Sequence, residues 1–169
     1  MRSTFYAAAA ALLMLSQTAL AGKPVPAELG PINHAEATLV IVDGDGNEVS
    51  YSPAELEKFA TYSLTTKTPW REKPAEFEGV MLSEILAAHG LDSAASILVT
   101  AENDYSTTMS QELLKSVDIL VATRVDGRAH SRRARGPIQF IIDAETFAAS
   151  ALTSESNYVW MAARIEASE

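Results

Sequence analysis

Five arginines fall within twelve positions of this chain: Arg124, Arg128, Arg132, Arg133 and Arg135, with His130 among them. The formal net charge of the whole chain is -9, so the cluster runs against its composition. Like charges this close repel, and a fold concentrates them where a polar or anionic partner offsets the repulsion. The stretch ends in Arg135-Gly136-Pro137 and leads into Ile138-Gln139-Phe140-Ile141-Ile142, which predicts a buried strand. A guanidinium at the edge of such a strand is held rigidly, as a ligand site requires. A basic surface loop paired with the protein's own carboxylates accounts for the same residues, and the two readings carry equal weight here.

Two further segments carry usable chemistry. Thr68-Pro69-Trp70 leaves an extended run at a proline-fixed bend. An indole presented there offers a flat face for a planar ring and one N–H donor, or else caps the core. Glu102-Asn103-Asp104-Tyr105 follows a predicted strand. Asn and Asp favour turns at such exits, and they also supply the donors and acceptors that read the edge of a heterocycle. Asp43, Asp45 and Asn47 have the opening spacing of a calcium loop. Glu48 then stands where glycine is needed and Ala54 where the bidentate acid is needed, so a hairpin turn accounts for them better. His34, His89 and His130 show no ligand spacing. The chain has no cysteine, which excludes disulfides, thiolate metal sites and cysteine nucleophiles. No nucleophile elbow, phosphate loop or dinucleotide fingerprint is present.

The elements that must position these residues are short. Thr38–Val42, Phe59–Thr66, Ser96–Ala101, Asp118–Val125, Ile138–Ile142 and Val159–Ile165 have the apolar, β-branched character of strands, and Val49–Tyr51 and Ser106–Met109 are extended. Ser52-Pro53-Ala54-Glu55 predicts a capped helix start. Leu82, Ile85, Leu86 and His89 predict a helix closed by Gly90, and short helices are expected at Ser110–Leu114 and Thr146–Leu152. Five to eight strands with short helices between them give an α+β domain with a mixed β-sheet.

Arg2, the apolar run from Ala7 to Leu15 and Ala19-Leu20-Ala21 before Gly22 predict a cleaved export signal over residues 1–21, too short in its apolar part to span a bilayer. A periplasmic location follows. Residues 22–37, rich in proline and glycine, are expected as an extended lead-in, and 38–169 as a single domain. The acidic balance argues against nucleic acid and against anionic membrane.

Taken in order, Thr68-Pro69-Trp70, Phe77-Glu78-Gly79-Val80-Met81-Leu82 with its helix to Gly90, Asn103-Asp104-Tyr105 and Arg135-Gly136-Pro137 form a series. The series resembles the molybdopterin-binding domain of the sulfite oxidase superfamily, over Thr38 to Trp160. In catalytic members a cysteine thiolate upstream of the x-Gly-Val-x-Leu segment holds molybdenum. The corresponding stretch here, Leu64 to Thr66, has threonines only, and a hydroxyl is a poor substitute for a soft thiolate. The profile is similar to the small periplasmic pterin-binding regulators of the PruR type. That resemblance implies a reduced, tetrahydromonapterin-like pterin as ligand, no tightly bound cofactor, no molybdenum and no catalytic residues. It implies as partner the periplasmic domain of a membrane-bound diguanylate cyclase or phosphodiesterase, and hence control of cyclic di-GMP. The binding set it implies is Thr68, Trp70, Asn103, Asp104, Tyr105, Arg132 and Arg135. Asp104 would accept from the pterin's amino group and ring N–H, Arg132 or Arg135 would donate to its carbonyl, and Trp70 or Tyr105 would stack on the ring. The alternative is a molybdopterin-dependent oxidoreductase or a subunit of one.

Overall fold

Apolar runs separated by turn residues fold into eleven strands, rather than the expected five to eight, in a computed structural model that describes residues 22–168. The expected export signal, 1–21, lies outside the described residues. One sheet is entirely antiparallel. It contains β1 (Val25–Pro26), β4 (Thr61–Thr68), β5 (Arg71–Met81), β8 (Leu120–Val125), β9 (Arg128–Ala129) and β10 (Gln139–Ile141), in the order β1-β4-β5-β8-β10, with β9 paired to β8. The other contains β2 (Leu39–Val42), β3 (Glu48–Tyr51), β6 (Ser96–Ala101), β7 (Ser106–Ser110) and β11 (Ala162–Ala167), in the order β3-β2-β11-β6-β7. Here β11 runs parallel to β2 and antiparallel to β6. Four short helices are added, α1 (Pro53–Leu56), α2 (Leu82–Ala88), α3 (Gln111–Ser116) and α4 (Ala144–Ala149). No helix among the described residues is long and apolar enough to cross a membrane.

Local chemistry explains most boundaries. At α1 the Ser52 side chain accepts from Glu55 N–H while the Glu55 carboxylate accepts from Ser52 N–H, a complete capping box. Asp43 Oδ1 accepts from the backbone of Asp45 and Asn47 at 2.9 and 2.8 Å, so the acidic turn between β2 and β3 is closed by its own side chain. Asp126 and Gly127, with φ of 50° and 71°, form the tight turn that joins β8 to β9. Leu39, Ile41, Ile97, Val99 and Ile165 from one sheet and Val80, Leu120, Val121 and Phe140 from the other are fully buried in a shared core.

Three expectations shift. The run from Arg71 to Met81 is one strand of 11 residues, where no strand was expected between Thr66 and the helix at Leu82. Its first part pairs with β4 alone, and β8 joins only from Phe77 onward. Pro74 therefore sits where no second neighbour needs its missing N–H. The helix expected at Thr146–Leu152 starts earlier, because Asp143 Oδ2 accepts from Glu145 N–H at 3.0 Å and Thr146 N–H at 3.1 Å and so caps it. The closing strand begins at Ala162 rather than Val159, because the chain turns at Met161 with φ of 49°.

The lead-in is tied down by a buried ionic group. Arg124 donates to both carboxylate oxygens of Glu57, at 2.9 and 2.6 Å, and to the carbonyl of Gly30 at 2.7 Å. His34 Nε2 lies 3.1 Å from Glu57, and Thr123 Oγ1 donates to it at 2.6 Å. Burial pushes the Glu57 carboxyl up, but the Arg124 guanidinium, Thr123 and His34 together outweigh it and hold it below the usual carboxylate range.

Candidate functional site

The β4–β5 hairpin carries Thr68 at its end and Trp70 in its turn. The β6–β7 connection carries Asn103, Asp104 and Tyr105; Asn103 Oδ1 accepts from Tyr105 N–H, and Asp104 takes the left-handed conformation, φ 64°. After β9 a 3₁₀ turn, Arg132–Ala134, delivers Arg135, also left-handed at φ 79°. A second 3₁₀ turn, Glu155–Asn157, closed by a reciprocal Ser154–Asn157 cap, delivers Tyr158 and Trp160. Backbone bonds stitch three of these connections together. Met161 N–H donates to the Arg135 carbonyl at 3.1 Å, and Glu102 N–H donates to the Met161 carbonyl at 2.9 Å.

The aromatic rings meet where these connections converge. Trp70 and Trp160 lie 4.7 Å apart, centroid to centroid, at 87°. Tyr158 stands edge-on to Trp70 at 5.8 Å, and Phe147 packs behind Tyr158 at 5.3 Å. Tyr158 Oη donates to the Ile142 carbonyl, and burial raises the pKa of its phenol. The Arg135 guanidinium lies over both indoles, 4.4 Å from the Trp160 centroid and 5.3 Å from that of Trp70. Two donors in this group, Arg135 Nε and Trp160 Nε1, are buried with no partner among the described residues. Such groups are costly in a finished fold and common where a ligand is received.

Two cavities share Trp70. The larger, about 310 Å³, is lined by Trp70, Tyr105, Tyr158 and Trp160 with Asn103, Glu155 and Ser156 as its polar residues. The smaller, about 150 Å³, is lined by Thr68, Trp70, Arg71, Phe77, Ala134, Arg135 and Gln139. Wider hollows of about 540 and 630 Å³ lie at the lead-in and beside the Asp43 turn, but neither holds an indole. The larger shared cavity has the size and character of a small-molecule site: concave, aromatic, with few polar groups.

Of the residues singled out from the sequence, Trp70, Asn103 and Tyr105 come together in the larger cavity, and Thr68 and Arg135 join Trp70 in the smaller. Arg132 and Asp104 line neither. Arg132 is turned to Glu102, which it grips with Nε and Nη2 at 2.8–3.2 Å, and to the Glu36 carbonyl. Arg124 belongs to the buried group at Glu57. The arginine cluster thus divides: two members bind the protein's own carboxylates and Arg135 stacks on the indoles. Trp160, Tyr158 and Glu155 are the residues that sequence reasoning missed. A second tryptophan in a chain holding two was the available signal.

The stretch that the resemblance aligns with a metal-binding thiolate is engaged otherwise. Thr66 is buried, donates to Asp143 Oδ1 at 3.0 Å and accepts from Ala144 N–H at 2.9 Å. Its hydroxyl is built into the start of α4. Among the described residues no group of three or more His, Asp or Glu is placed to hold a metal ion. These donors do not fit a thiolate-held molybdenum.

No family model matches the chain, and no curated protein matches it. Among solved structures it is similar to the sulfane dehydrogenase SoxCD from Paracoccus pantotrophus, with a TM-score of 0.59 and 13% identity over 80% of this chain and 39% of that one. The chain therefore spans well under half the length of that neighbour, and an identity this low shows the fold alone. The fold is α+β, with two sheets and few short helices, as expected from the sequence, and it is shared with part of that neighbour.

Proposed function

We propose that the protein is a periplasmic binding module for a flat bicyclic heterocycle, a reduced pterin, and that it reports ligand to the periplasmic domain of a membrane-bound enzyme of cyclic di-GMP metabolism. The observation that carries the reading is the cavity of about 310 Å³ walled by Trp70, Trp160, Tyr158 and Tyr105. A planar ring stacking on such a wall gains about 1–3 kcal/mol per ring. The ring's identity and the signalling partner come from the resemblance to periplasmic pterin-binding regulators. The oxidoreductase alternative asks for a metal ligand that Thr66, engaged with Asp143 and Ala144, does not supply.

Fluorescence titration tests the binding reading. Tetrahydrobiopterin or tetrahydromonapterin added to the purified protein in anaerobic reducing buffer should quench tryptophan emission saturably in the micromolar range, and Trp70→Ala should abolish the response. A wild-type protein that shows no saturable change with either pterin overturns the proposal. The signalling part is tested by measuring binding to the isolated periplasmic domain of such an enzyme with and without pterin; identical affinities would sink it.

A further inference from the structure

Three acids adjoin or belong to the cavity residues in sequence, Glu102, Asp104 and Glu155, and the structure separates them: Glu102 is held by Arg132. Asp104 is a turn residue, left-handed, its backbone N–H donating to the Ala101 carbonyl, and it does not line the cavity. Glu155 does line it, and it is the one acid among the lining residues. It opens the 3₁₀ turn whose Ser154–Asn157 cap fixes the backbone, and its carbonyl accepts from Tyr158 N–H at 3.1 Å. The carboxylate is thereby placed on the same short turn that supplies the Tyr158 wall. Its side chain is exposed and forms no ion pair among the described residues. Asn103, with both a donor and an acceptor, lines the same cavity.

We propose that Glu155 reads the donor edge of the ligand and so sets the ligand class: planar bicycles whose pyrimidine edge presents two adjacent N–H donors, as the aminopyrimidinone edge of a pterin does. This rests on the pterin-binding reading of the same cavity. A carboxylate has two acceptor oxygens and no donor, so it matches an amino group beside a ring N–H. Lumazine, the same bicycle with a carbonyl in place of the amino group, would set an acceptor against one of those oxygens. Asn103 then has a role complementary to Glu155, its amide donating to the carbonyl on the far side of the edge. An aromatic box with a carboxylate alone would also suit a quaternary ammonium; the amide favours the edge-reading ligand.

The test compares tetrahydrobiopterin with the correspondingly reduced lumazine against wild type, Glu155→Gln and Asp104→Asn, read by tryptophan fluorescence. Wild type should prefer the pterin. Glu155→Gln offers one acceptor and one donor, so its affinity for the pterin should fall about 10- to 100-fold while its affinity for the lumazine holds or rises. Asp104→Asn should change neither. Because the Glu155 side chain is exposed and has no ion-pair partner, a thermal melt of Glu155→Gln should match wild type. Equal pterin affinity in wild type and Glu155→Gln, or a loss confined to Asp104→Asn, overturns the assignment of Glu155 and leaves the binding reading standing. A wild type that takes neither ring overturns both.

Discussion

At the scale of single residues, Arg135 joins a backbone conformation to a stacking contact. A non-glycine residue at φ 79° costs about 1–2 kcal/mol, and this one is held there with its guanidinium over two indoles. The two contributions separate by substitution. Arg135→Ala keeps the strained backbone and loses the stack; Arg135→Gly loses the stack but relaxes the strain. Arg135→Gly should therefore be the more stable variant by about 1 kcal/mol in urea unfolding, with both below wild type. Equal stability of the two variants would show that the backbone at 135 is not strained. Trp70, Asn103 and Tyr105 were legible in the sequence because polar and aromatic residues beside turn chemistry stand out. Trp160 was not, since it was absorbed into the closing strand expected at Val159–Ile165, and Tyr158 was not, since it stands just before that run with no turn signal of its own. Glu155 gave no signal at all, because one acid in an acidic chain is indistinguishable from the solvated rest.

At the scale of elements, one site sets the spacing of two strands and another ties the lead-in to β8. A Cβ on Gly79 would overlap the Val121 carbonyl oxygen and come within 2.9 Å of Ala122 Cα, both backbone atoms of the neighbouring strand β8. Gly79→Ala should force β5 and β8 apart and destabilise the fold by about 3 kcal/mol or more, seen as a lowered melting temperature or loss of soluble protein. An unchanged melt would contradict the close approach. The Glu57 group gives a pH-dependent test. The folded carboxyl lies below its ordinary value of 4.5, so it contributes stability that is fully present above about that pH and is lost as pH falls through the folded value. Glu57→Gln leaves Arg124 buried without its carboxylate and should cost about 3 kcal/mol at neutral pH. The gap between wild type and variant should narrow in acid; a gap independent of pH would show that this carboxyl is not shifted. Capped helices and turn-bounded strands were legible here because their signals are local. The first half of β5 was not: Arg71-Glu72-Lys73-Pro74 looks like a loop, and only its one-sided pairing makes it a strand.

At the scale of the whole molecule, the class of fold was legible and the strand order was not. Periodicity marks a strand, but its partner is chosen by contacts distant in sequence, and β11 is the clearest case. It lies at the centre of its sheet, between β2 and β6. Ile165 is fully buried there, paired with Ile41 on one side and Val99 on the other. Ending the chain after Met161 removes the bridge between the two halves of that sheet. The shortened protein should lose its cooperative thermal transition and much of its far-ultraviolet β signal, whereas a trim confined to peripheral β1 should leave the transition cooperative. A truncated chain that still melts sharply would show that β2-β3 and β6-β7 can be held by the other sheet alone.

That central placement also orders events in time. Ile41 can meet Ile165 only when nearly all of the described chain has left the ribosome, so β2 waits with one edge open through most of synthesis, and β6 does so from its own emergence onward. Long-range closures of this kind slow folding, and unpaired edges invite association with other chains. The nascent protein is accordingly at its most vulnerable before its final strand arrives, and a holding chaperone would matter most during that interval.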